Sequence, residues 1–147
     1  MMIRPYQVSD QPALLQLLQL NTPTYFAPSE KADYEHYLTH EIEDYFVLEA
    51  DQQLVGAGGI NYVEEGKSAR ISWDLLHPDF QGKGLGSKLV QYRLANIKRR
   101  EGIAQVVVRT SQLAYPFYEK QGFKLMHTQK DFWAPGFDLY QLQINLS

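Results

Sequence analysis

The sequence predicts a single α/β domain, with a mixed central sheet and helices on both faces, and three observations carry that expectation. Between Ile71 and Thr110 the chain reads strand, Gly-rich turn, helix and strand, and two strands joined through a helix run parallel in one sheet. Elsewhere, short β-branched and aromatic runs alternate with turn residues, which suits antiparallel pairs. The length of 147 residues, with 44% hydrophobic and 21% charged content, is enough for one core and shows no compositional break that would mark a linker.

Each element has its own signal. Residues 2 to 8 read as a first strand, and Ser9-Asp10 caps a helix over 10 to 20 whose Leu14, Leu15, Leu17 and Leu18 recur at helical spacing. Pro23 and Pro28 keep 21 to 29 a loop, and Ser29 with Glu30 opens a shorter helix over 30 to 40. Strands follow at 44 to 50 and 53 to 63, joined by Asp51-Gln52-Gln53. Gly56, Gly58 and Gly59 within the second imply a bulge or a close backbone approach. The next strand, 69 to 77, closes at His77-Pro78 because proline cannot donate to a ladder. The helix that begins near Gly84 places Val90, Leu94 and Ile97 on one stripe and stops at Gly102. Val106-Val107-Val108 predicts a strand buried on both faces. A helix around Tyr118 and strands over 123 to 130 and 137 to 145 complete the sheet.

Composition excludes several classes. Without cysteine there is no disulfide, thiolate metal site or cysteine nucleophile. A net charge of -3 and a pI near 5.8 argue against a nucleic-acid partner. The one basic cluster, Lys98-Arg99-Arg100, falls at a helix end where cations suit the dipole. No apolar run approaches the roughly 20 residues of a membrane helix, and the N-terminus lacks a signal-peptide pattern, so no membrane partner and a cytoplasmic location are the expectations. His36 and His40 stand at i and i+4, but no third ligand accompanies them, so no metal is expected.

The chemistry centres on Gln81-Gly82-Lys83-Gly84-Leu85-Gly86-Ser87, between a strand and a helix. Glycines leave backbone N–H groups open, and the helix start adds positive potential, so the turn suits a diphosphate; Lys83 and Lys88 add cationic charge. A dinucleotide fingerprint would need Gly or Ala where Ser87 sits, and a P-loop would need Gly followed by Lys-Ser/Thr after four intervening residues.

What remains, Gln-x-x-Gly-x-Gly opening a helix, resembles the coenzyme A loop of the GCN5-related N-acetyltransferase (GNAT) superfamily. Ala114-Tyr115-Pro116-Phe117-Tyr118-Glu119-Lys120-Gln121-Gly122-Phe123 resembles its downstream motif, and Ile3-Arg4-Pro5 with Ser9-Asp10 resembles its first strand and helix cap. The resemblance implies a GNAT-like domain whose parallel strands splay at the cofactor site. Acetyl-CoA would then be the cosubstrate, with its pantetheine arm along Asp74 to Leu76 and the thioester near Leu75 and Leu76. It also implies Tyr118 as the acid for the departing thiolate. Ser111 stands where the superfamily often has Asn, so Ser111 or Thr110 is a weaker candidate cofactor contact. The Glu that serves as base in histone-acetylating relatives is here Arg70, which leaves Asp74 as the local candidate base, balanced against a purely structural carboxylate.

The resemblance implies acetyl transfer to a primary amine by direct attack in a ternary complex, and the rival is a non-catalytic acyl-CoA-binding domain. A small-molecule amine is expected over a protein acceptor. Tyr25, Phe26, Trp73, Phe132 and Trp133 suggest apolar walls for it, with Asp131 and Asp138 beside the last two. A final strand can also pair across two subunits, which is compatible with a homodimer.

Overall fold

Seven strands form one sheet in the computed structural model, which describes residues 1–146. They are β1 (Met2–Pro5), β2 (Asp44–Ala50), β3 (Gln53–Val63), β4 (Ser68–Leu76), β5 (Gln105–Thr110), β6 (Lys124–Ala134) and β7 (Phe137–Asn145), in spatial order β1-β2-β3-β4-β5-β7-β6. Every pairing is antiparallel except β4 with β5, the pair joined through a helix. Helices α1 (Gln11–Leu20) and α2 (Glu30–His36) pack on one face, and α3 (Leu85–Lys98) and α4 (Tyr115–Lys120) on the other. No helix among the described residues is long and apolar enough to cross a membrane.

Each face has its own core. Val90, Leu94 and Ile97 of α3 are buried against Ile60, Ile71, Val106 and Val108, as the helical stripe predicts. At about 1.5–3 kcal/mol for each large apolar side chain buried, this stripe fixes α3 on the sheet. Leu14, Leu17 and Leu18 of α1 meet Tyr34, Val47, Ala57 and Leu75 on the opposite face.

Several boundaries differ from the sequence reading. The first strand stops at Pro5, where Arg4 turns back to bind Asp10, and a 3-10 turn fills Val8–Asp10. The helix expected to reach residue 40 ends at His36 and continues as a wider π turn over Tyr37–Glu41. Val107 is half-buried rather than buried, because its side of the sheet borders a cleft instead of a helix. β6 runs on to Ala134, held by Asp131, which accepts from Gly136 N–H at 2.8 Å while its own N–H donates to Asp138 at 2.9 Å.

The irregularity that matters most lies in β4. Ala57 pairs with Leu75 and Gly59 with Ser72, so β4 holds one residue more than β3 across this interval. Trp73 takes up the excess with a φ of 50°, a left-handed backbone that a bulky residue adopts only when the surroundings enforce it. The bulge reverses the alternation of side chains. Ala69 and Ile71 face α3, whereas beyond the bulge Trp73 and Leu75 face α1 and α2 and Asp74 turns toward α3.

Around Trp73 the α2 face is a layer of phenols. Tyr34 donates to Tyr45 at 2.7 Å, Tyr45 donates to the Trp73 carbonyl at 2.8 Å, and Tyr37 donates to Asn61 at 2.7 Å. Burial pushes the ionisation of Tyr34, Tyr37 and Tyr45 upward, since a phenolate there would lose its hydration. The unfolded chain ionises its tyrosines near pH ~10, so this stability is complete below that pH and is lost as pH rises beyond it. On alkaline titration, the buried phenols should ionise in the same cooperative step that abolishes the circular dichroism signal. Smooth ionisation of all 10 tyrosines with the signal retained would contradict this packing.

Candidate active site

β4 and β5 are paired only from Ser68 with Gln105 to Ile71 with Val108; beyond that rung they diverge. The gap opens into a cleft of about 1130 Å³ lined by both strands, the α3 start, α4 and the loop after α1. On its β4 edge Leu76 O accepts from Asn21 Nδ2 at 3.1 Å, and no strand takes up the N–H beside it. His77 N–H donates to Val55 O at 2.7 Å, so by strand alternation the Leu76 amide points away from β3 and toward the gap.

The glycine turn lies at the mouth of this cleft. Gly82 and Gly84 adopt φ values of 77° and 79°, and a Cβ built at either would meet nothing within 4 Å. Their absent side chains leave open space above the backbone. Gly84 caps α3 without any side-chain hydrogen bond, and the first helical bond is Lys88 N–H to Gly84 O at 3.1 Å. The amides of Leu85, Gly86 and Ser87 are therefore orphan donors at the positive end of a 14-residue helix. Gln81, Gly82, Gly84, Gly86 and Ser87 line the cleft. Lys83 rests over the Phe80 ring, and the Ser87 hydroxyl accepts from Gln121 at 2.8 Å. The turn fits a diphosphate by the chemistry of its donors.

At the other end of the cleft stand Asp74, Tyr118 and a residue the sequence reading missed, Arg93. Tyr118 donates to Asp74 Oδ2 at 2.5 Å, and the Arg93 guanidinium meets Asp74 Oδ1 at 2.5 Å. Arg93 is 0% exposed, and it also donates to the carbonyls of Gly59 at 3.0 Å and Leu89 at 3.2 Å. The signal was present: Leu89, Arg93 and Ile97 are four residues apart, so a charge sits on the buried stripe of α3. Gly58 makes room for the pair, because a Cβ there would lie 2.6 Å from Asp74 and 2.7 Å from Arg93. Close backbone approach accounts for both Gly58 and Gly59, the latter against Tyr45 and Tyr37. Burial, and next the Asp74 charge, push the Tyr118 phenol well above its ordinary value, so it remains a proton-bearing donor across the neutral range. Its ring packs on Phe117 and Phe123.

The remaining candidates divide. Ser111 is buried at the cleft wall with its hydroxyl accepting from Leu113 N–H at 3.2 Å, which turns the chain into α4. Trp73 stacks on Phe26, and Tyr25 and Trp133 also line the cleft. Asp131 and Asp138 hold the β6–β7 hairpin. His77 Nδ1 accepts from Asp79 N–H and caps a turn. The His36 and His40 rings lie 4.8 Å apart between centroids, tilted by 41°.

The profile of the acetyltransferase (GNAT) domain matches residues 18–146. The chain belongs to the GNAT acetyltransferase family. Among solved GNAT structures, the ribosomal-protein-S18-alanine N-acetyltransferase of Escherichia coli superposes with a TM-score of 0.80 at 20% identity, covering 99% of this chain and 94% of that one. An aminoglycoside 6'-N-acetyltransferase complexed with coenzyme A gives 0.79 at 16% identity, covering 99% and 97%. These are likenesses of fold. The chain is also 27% identical over 128 residues to the amino-acid acetyltransferase of Pasteurella multocida (strain Pm70), a match that covers 84% of this chain. It spans 27% to 37% of the length of the curated relatives it matches.

In this GNAT domain Asp74 and Arg93 form a pair whose basic member is wholly enclosed. Asp74→Ala should therefore cost about 3–5 kcal/mol, because it strands a buried guanidinium, and Arg93→Met in the same background should restore part of the loss. Urea denaturation checks this, and a single-variant loss below about 1 kcal/mol would mean that the pair contributes no more than a surface bridge.

Proposed function

We propose that this domain transfers the acetyl group of acetyl-CoA to a primary amine by direct attack within a ternary complex. The observation that carries the reading is that one cleft holds the orphan amides of α3, the unpaired Leu76 amide and the Tyr118 hydroxyl. Family membership and the fold neighbour solved with coenzyme A support the choice of donor.

In this reading Gln81 to Ser87 hold the pyrophosphate through main-chain N–H groups, with Lys83 adding charge. Asp74, Leu75 and Leu76 hold the pantetheine arm in place of a neighbouring strand. Ser111 borders the same path. The bound acetyl thioester supplies the electrophilic carbon. The Leu76 N–H stabilises negative charge on the carbonyl oxygen as the amine adds.

Proton movements set the roles of the remaining groups. An alkylammonium acceptor, with a pKa of roughly 10 like that of lysine, loses its first proton to solvent before it can attack. After the C–N bond forms, a second proton must leave nitrogen while the C–S bond breaks and sulfur gains one. Asp74 receives the proton from nitrogen and passes it to the Tyr118 oxygen as the phenol gives its own to sulfur. One proton thus moves from nitrogen to sulfur, and no tyrosinate forms beside the carboxylate. Arg93 keeps Asp74 aligned throughout. The acceptor is a small molecule, since the aromatic residues around the cleft make walls for a compact ligand.

Tyr118→Phe should lower turnover by about 10²-fold and change the Michaelis constant for acetyl-CoA little; unaltered turnover would remove the phenol from the chemistry. Gly84→Val should raise that Michaelis constant by at least about tenfold, because it strains a positive-φ position and covers the amides. An amine panel with detection of released thiol, run beside calorimetry with acetyl-CoA, tests the activity itself. Binding without transfer to any amine would identify a sensing domain instead.

A further inference from the structure

Two cations in the cleft have no part in this chemistry. Arg70 of β4 and Arg109 of β5 both line it. Arg70 pairs with Val107, and Arg109 lies two residues further along β5, so both side chains rise from the same face of the sheet. Ala69, Ile71, Val106 and Val108 point the other way, into the core beneath α3. Arg70 and Arg109 thus stand across the sheet from the helix whose start would hold the coenzyme's phosphates. Arg109 lies one rung nearer the splay than the last paired residue, Val108.

Among the described residues neither guanidinium is held by a carboxylate, although Glu41 and Glu43 line the same cleft. The Nε of Arg70 is fully buried and has no hydrogen-bond partner. Arg109 is braced instead by aromatic rings, with its Cζ 5.0 Å from the Phe132 centroid and 5.7 Å from that of Trp133. Burial, and after it the neighbouring charge of Arg70, lower the Arg109 pKa. Two cations sharing a partly desolvated cleft, one of them with an unmade buried donor, gain from an anion that joins them. Paired N–H groups of guanidinium match the oxygens of carboxylate and phosphate alike.

We infer that Arg70 and Arg109 form an anion-binding subsite for the acceptor, so that the amine acetylated also carries a carboxylate or phosphate group. The inference rests on the acetyltransferase reading and narrows its substrate class. Phe132 and Trp133 hold the fork of Arg109 toward the cleft, and the acceptor's anion docks against both arginines with its amine directed along the sheet to the splay.

Matched pairs test this without knowledge of the natural substrate: L-amino acids against their amino alcohols, and glucosamine 6-phosphate against glucosamine. With the wild-type protein, the anionic member of at least one arm should be favoured by tenfold or more in kcat/KM, and the arm that responds identifies the anion. In Arg70→Gln and Arg109→Gln that ratio should fall toward one, with calorimetric binding of coenzyme A confirming that each variant is folded. Calorimetry of the same compounds with the coenzyme A-loaded protein reads the subsite without turnover. Heat from an anionic member and none from its neutral partner supports it even if no acetyl transfer occurs, which separates this failure from that of the enzymatic reading. Equal or weaker kcat/KM for the anions in both arms, no heat from any anion, or an unchanged ratio in the folded glutamine variants would each overturn it.

Discussion

One extra residue in β4 determines which face of the sheet receives Asp74. Without the bulge at Trp73, strict alternation would carry the carboxylate to the α1 and α2 face, among the phenols and apolar side chains that surround Leu75. With it, Asp74 meets Arg93 and Tyr118, and the following residues present their amides to an edge that no strand covers. The strained backbone at Trp73 is retained because its surroundings over-determine it: Tyr45 bonds its carbonyl, while Phe26 and Tyr34 pack on its ring. Strand divergence and polar chain alike follow from that local irregularity.

The two ends of the cleft owe their character to different physics. The end at the glycine turn is built from main-chain groups made available by glycine, and its electrostatics come from helix polarity more than from side chains. The opposite end is built from three side chains, drawn from β4, α3 and α4, in which Asp74 accepts from both Tyr118 and Arg93. Desolvation keeps the phenol protonated, and the buried guanidinium keeps the carboxylate oriented. Such a site depends on the core beneath α3 being close-packed, since any looseness there would shift Arg93.

Much of this was legible in the sequence, for identifiable reasons. Local signals fixed the elements with strong periodicity: the stripe of Val90, Leu94 and Ile97, the apolar run at Val106 to Val108, and the glycine turn between strand and helix. The glycines of β3 correctly indicated close approach, although what approaches Gly58 is a side-chain pair from elsewhere in the chain. Arg93 escaped notice because a single charge on an amphipathic helix ordinarily faces water, and only its coincidence with the Leu89 and Ile97 positions shows otherwise. The bulge was invisible, since Trp73 has excellent strand propensity and its left-handed backbone is imposed by tertiary contacts. The π turn after α2 and the length of β6 likewise depend on partners remote in sequence.

The space at Gly58 ties three positions together. The volume that a β-carbon would claim there already belongs to the guanidinium and the carboxylate. Any lineage that keeps the arginine must therefore keep the glycine, and one that trades Arg93 for a shorter neutral residue becomes free to enlarge position 58. Positions 58, 74 and 93 should consequently covary as a unit among homologues, so exchanges at these sites would mark where the buried polar cluster has been rebuilt.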